Sequence, residues 1–201
     1  MPDPRSASTM IEGRVLRSAP NLIRVVFRDA PGDPFATAFT NGRTGRHRLT
    51  FADGTTLWVD STAPARTDLE RADGTALATI TCADTSTAVG ATAGTLFHFV
   101  PAPRDPVTKH RYRLSVLDRM GEEFARLDVV RTPDGWSTTH CADPHAQSHL
   151  WWERTGPALP VPILGTRLLL RRPPDRDERQ VLLGACVDLT LGLRPYVLEM
   201  K

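Results

Sequence analysis

The chain has 201 residues, of which 40% are apolar and 24% charged; this suits one folded domain with a sizeable core and excludes wholesale disorder. A formal net charge of +2 falls short of the strong basic excess of nucleic-acid-binding domains, so no nucleic-acid partner is expected. Lys109 and Lys201 are the only lysines, and the heavy use of Arg, Ala, Gly, Pro, Asp and Thr reads as the coding bias of a GC-rich genome. Cys82, Cys141 and Cys186 are widely spaced, odd in number and without a CxxC pair, which points to a reducing cytoplasm and not to a disulfide framework.

The first ten residues (MPDPRSASTM) lack an apolar signal core and read as a disordered polar tail, leaving a single domain over 11–201. From Leu22 to Val130, short alternating or β-branched segments are separated by turn signals at the spacing of an all-β domain. The predicted strands are Leu22 to Arg28, Thr55 to Asp60, Ala76 to Thr81, Thr95 to Val100, Arg111 to Leu117 and Glu123 to Val130. Asp53-Gly54, Asp73-Gly74, Asp134-Gly135 and the run Asp118 to Gly121 supply the positive-φ positions of tight turns. Asn41 to Arg48 (NGRTGRHR) reads as a glycine-punctuated loop, and Gly90 to Thr95 as a flexible hairpin. In the Arg111 segment Tyr112, Leu114 and Val116 point one way and Arg111, Arg113 and Ser115 the other, the mark of a half-buried antiparallel strand. The proline-rich stretches Pro101 to Pro106 and Gly156 to Pro162 are connectors or edges, because proline has no N–H for a ladder.

Toward the C-terminus, Arg167 to Arg171 (RLLLR) reads as a strand stopped by Pro173-Pro174. Asp175 or Asp177 can then cap a helix over about 178–192. Val181, Leu182, Leu183, Ala185, Cys186, Val187, Leu189 and Leu191 occupy every side of that helix, so it must be enclosed on all sides. The apolar run Val181 to Leu193, broken by Asp188 and Thr190, is well short of the ~20 residues that span a bilayer, and no transmembrane helix is expected. The predicted fold is mainly β: a closed antiparallel β-barrel or barrel-like sheet around one buried C-terminal helix.

Two features resemble the tubby, phospholipid scramblase and LURP-one-related superfamily. The first is Pro174-Asp175-Arg176-Asp177 leading through Leu183-Gly184-Ala185-Cys186 to Asp188, similar to the acidic lead-in and Gly-Ala-Cys helix of scramblases. The second is the hairpin Tyr112 to Leu127 (YRLSVLDRMGEEFARL), with its Asp-x-x-Gly turn between two strands. The resemblance implies a closed barrel around a central helix. The chain has no spanning segment, no cysteine-rich palmitoylation tract, no long proline-rich arm and few acidic residues beside the helix, so lipid scrambling and calcium dependence are not expected. The better comparators are the small bacterial and plant members of the group. They imply a cytoplasmic, non-enzymatic binding or scaffold domain without a cofactor.

Arg43, Arg46 and Arg48, with His47 among them, form the strongest anion-site candidate, because guanidinium forks and glycine-flanked amides can hold a phosphate or an anionic lipid headgroup. The alternative is a metal-dependent barrel enzyme. His140, Cys141, Asp143, His145 and His149 crowd one decapeptide, and His145 and His149 would share a face at i, i+4. With no HExxH or CxxC partner motif, a polar surface loop is the preferred reading and no bound metal is expected. Trp151 and Trp152 are candidate contacts for a partner protein. His98 reads as a hydrogen-bonded strand histidine, and no GxSxG elbow or Cys-His pattern is present.

Overall fold

A computed structural model describes residues 9–19, 22–29, 32–41, 45–61, 63, 66–82, 86–91, 94–101, 111–131 and 163–191. Within these, twelve strands form one antiparallel meander: β1 (Thr9–Ala19), β2 (Leu22–Asp29), β3 (Pro34–Asn41), β4 (Arg46–Phe51), β5 (Thr56–Asp60), β6 (Arg66–Arg71), β7 (Ala76–Cys82), β8 (Ser86–Gly90), β9 (Gly94–Pro101), β10 (Arg111–Asp118), β11 (Glu123–Arg131) and β12 (Ile163–Leu170). Each strand pairs with its neighbours in sequence, and β1 pairs with β12 to close the barrel, so among the described residues no ladder edge is left open. One helix, α1 (Arg176–Leu191), follows the last strand.

Local chemistry accounts for the tight turns. In 51–55 and 71–75 an Asp side chain accepts hydrogen bonds from the N–H and hydroxyl of the Thr two residues on, at 2.9 and 2.5 Å for Asp53–Thr55 and 2.9 and 2.7 Å for Asp73–Thr75. The intervening glycines take φ of 81° and 84°, where a Cβ would be strained. Asp118 does the same in the β10–β11 turn, accepting from the N–H groups of Met120 and Glu122.

The helix is capped as its sequence suggests. Glu178 N–H donates to Asp175 Oδ1 at 2.8 Å, and Asp175 N–H donates back to Glu178 Oε2 at 2.9 Å, a reciprocal capping box. Every residue from Gln180 to Asp188 is buried, whichever side of the helix it occupies. The helix touches β2, β4, β5, β6, β7 and β12, so it lies within the ring of strands. Inward side chains from the strands, among them Phe27, Leu49, Leu57, Leu69, Phe97, Leu127 and Leu168, join Val181, Leu182, Leu183 and Val187 in one core. Gly184 makes this fit: a Cβ there would come within 2.8 Å of Leu69 Cδ2 on the barrel wall.

The predicted mainly β class, closed barrel and buried C-terminal helix are those of the structure, with the helix starting two residues earlier than expected. Three expectations are corrected. Thr9 and Met10, expected in a disordered tail, pair with Leu170 and Leu169 of β12, and residues 1–8 lie outside the described residues. The supposed loop over 41–48 is largely strand: Asn41 ends β3, and Arg46, His47 and Arg48 open β4. β1, β3, β6 and β8 also fall outside the predicted strands.

Candidate functional site

Period-two alternation gives β4 two faces with opposite chemistry. His47 and Leu49 point into the barrel, and Arg46 and Arg48 point out and are exposed. Arg43 lies outside the described residues, as do His140, Cys141, Asp143, His145, His149, Trp151 and Trp152. Among the described residues no group of three or more His, Cys, Asp or Glu is placed to hold a metal.

Register then assembles a row on the outer wall that the sequence does not show. Leu16 on β1 stands opposite Arg24 on β2, Arg24 opposite Phe39 on β3, Phe39 opposite Arg48 on β4, Arg48 opposite Trp58 on β5, and Trp58 opposite Glu70 on β6. Two arginines thus flank one ring, their Cα atoms about 10 Å apart, or two strand spacings. Arg46, one step along β4, lays its guanidinium over the Trp58 ring at 4.7 Å from the centroid. The outward positions of β2, β3 and β4 carry Arg24, Arg28, Arg46 and Arg48 and no carboxylate. Acidic groups flank this stretch on both sides: Glu12 on β1 stands opposite Arg28, Asp60 on β5 stands opposite Arg46, and Glu70 on β6 lies 4.0 Å from Arg46. The Nε of Arg24 is buried without a hydrogen-bond partner.

The inward face is sealed. His47 is 2% exposed, and neither ring nitrogen has a hydrogen-bond partner. Burial pulls its pKa down from 6.5 to about 4, against the opposing pull of Asp60. Nearby, Ser61 donates a hydrogen bond to the buried Asp188 of α1 and lies 3.4 Å from Thr67 Oγ1. Cys186 is also enclosed, and burial pushes its thiol up to about 12 despite a hydrogen bond with Thr166, so it is held protonated and unreactive. His47, Thr67, Asp188 and Cys186 are buried, and Ser61 is part-buried. His98 is the expected strand histidine, its Nδ1 3.2 Å from Thr87 Oγ1.

Of the three arginines that the sequence singles out, the structure brings Arg46 and Arg48 together, on a strand instead of a loop. Arg24 and Phe39 join them only through pairing between strands, and no local motif marks either residue. Comparison with protein-family models, curated proteins and solved structures finds no match to this chain. Among the described residues no helix is long and apolar enough to cross a membrane.

Proposed function

We propose that the chain is a non-enzymatic, cytoplasmic binding or scaffold domain of the tubby, scramblase and LURP-one-related type, and that its outer wall over β2–β5 recognises an anionic lipid headgroup or a phosphate. The observation that carries this reading is the row Arg24–Phe39–Arg48–Trp58 on a stretch of wall with no outward carboxylate over β2–β4. Guanidinium groups bind phosphate oxygens through paired N–H donors, and Trp58 carries the Arg46 guanidinium over its ring beside the row. A closed meander around a buried helix is the architecture that the resemblance implies. The interior favours binding over catalysis, since helix and core fill it and its histidine is cut off from solvent.

The test is co-sedimentation with phosphatidylcholine vesicles with and without phosphatidylserine, together with competition by inorganic phosphate, at two salt concentrations. Wild type is expected to bind the anionic vesicles weakly and to lose binding at high salt, because exposed charges are screened within ~8 Å at physiological ionic strength. Changing Arg24, Arg43, Arg46 and Arg48 together to Gln should abolish binding and leave the barrel folded. Equal binding by wild type and variant, or none by either, rejects the wall as the functional surface.

A further inference from the structure

The wall that carries the arginines continues without a break into one of opposite sign. Beyond Trp58 the outward residues are Asp60 on β5 and Asp68 and Glu70 on β6, with Arg66 committed to Asp68 through Nε hydrogen bonds of 3.0 Å to both carboxylate oxygens. β5 is therefore a boundary, with Arg46 and Arg48 on its β4 side and Asp68 and Glu70 on its β6 side; Trp58 lies on the dividing line beneath the Arg46 guanidinium, which is also 4.0 Å from Glu70. Rotation by 180° about an axis lying along β5 exchanges the two sides.

We propose that the chain self-associates through this face as a two-fold dimer, with the axis along β5. A two-fold interface uses one patch twice, so the patch must complement itself. This one does. The register row Arg48–Trp58–Glu70 sets Arg48 against the partner subunit's Glu70, and Trp58 against the partner subunit's Trp58 on the axis. One step along the strands, the row Arg46–Asp60–Asp68 sets Arg46 against the partner subunit's Asp68. Asp60 meets the partner subunit's Asp60 there, a like-charge pair at the centre of an otherwise complementary face. Tryptophan and arginine are the residue types that most often anchor interfaces. A face of three strands is small, so the dimer is weak and dissociates on dilution. This self-association does not depend on the anion-binding reading, and because it covers Arg48 the two should compete.

Sedimentation equilibrium of the full chain over a range of concentrations tests the proposal. Wild type is expected to show a concentration-dependent dimer that weakens with salt. Arg48→Glu and Glu70→Arg should each raise the dimer Kd about tenfold or more by facing like charges. The combined Arg48→Glu/Glu70→Arg variant should restore association, because the swapped pair is complementary again. Circular dichroism should report an unchanged fold in each, since both side chains lie on the outer wall. A wild type that stays monomeric at every concentration, an assembly larger than two, or a combined variant no better than the single ones overturns the proposal. The combined variant also separates the two readings: it should dimerise yet lose binding to anionic vesicles.

Discussion

Going around the barrel, arginine keeps two kinds of company. Over β10, β11, β12 and β1 the outward row reads Arg113, Asp128, Arg167, Glu12, ending on Arg28 of β2, each residue opposite the next and the charges alternating in sign. Arg113 pairs with Asp128 at 2.8 Å and Arg167 with Glu12 at 3.1 Å. Over β2 to β5 the equivalent row alternates arginine with aromatic rings. The first row satisfies its charges within the sheet, as cross-strand pairs of opposite sign do. The second leaves its guanidiniums facing outward. Composition cannot separate the two halves, because they spend the same residue type; only the cross-strand neighbour distinguishes a structural arginine from one available to a ligand.

The largest loss is expected from a change in the interior that both halves share. Leu183→Asp places an unpaired charge at a fully buried position of α1, at a cost of several kcal/mol against a total stability of roughly 5–15. The variant should be insoluble or lack a cooperative thermal transition; a soluble protein that melts cooperatively would contradict a helix inside the barrel.

A smaller effect belongs to the inner face of β4. The folded value of about 4 for His47 lies below its ordinary 6.5, so the unfolded chain takes up a proton first as pH falls. The stability tied to the neutral ring is complete above pH 6.5 and drains away toward pH 4, by an amount on the order of 3 kcal/mol. His47→Leu should flatten the slope of the denaturant midpoint between pH 6.5 and 4.5. An unchanged slope would mean that other groups govern acid sensitivity.

The smallest effects sharpen the contrast between the two halves. Arg167→Gln breaks an exposed ion pair and should cost no more than ~1 kcal/mol, with anionic-vesicle binding intact. Arg48→Gln should do the reverse, lowering vesicle binding several-fold with little change in melting temperature. Equal loss of binding in both would make the attraction a matter of net charge and erase the distinction.

The parts of this fold legible in the sequence are those whose causes are local. Asp-Gly turns and the Asp175–Glu178 cap are written in consecutive residues, and the density of apolar side chains in α1 announces burial on every side. The missed strands share a physical reason. β3 turns Ala36 and Ala38 inward, β4 turns His47, β6 turns Thr67 and β8 turns Ala88. Small or polar inward residues suit a barrel whose centre is already occupied by a helix, and they blunt the alternation by which strands are recognised. β1 loses its pattern at Glu12-Gly13-Arg14. The site was half legible for the same kind of reason: Arg46 and Arg48 are neighbours in sequence, whereas Arg24 reaches them only through two ladders.

The position of α1 in the chain also bears on how the protein is made. A ribosome delivers all twelve staves, through Leu170, before the helix that fills them begins at Arg176. Until then the inner faces of the sheet have nothing to close upon, and the seam between the first and last strands must join residues 9–14 to 165–170. The nascent chain therefore cannot complete its core piecemeal, as chains with successive domains do. Closing the core waits for α1, and a ribosome-bound chain halted at Pro174 would expose an apolar lumen to whatever chaperone or neighbouring strand arrives first.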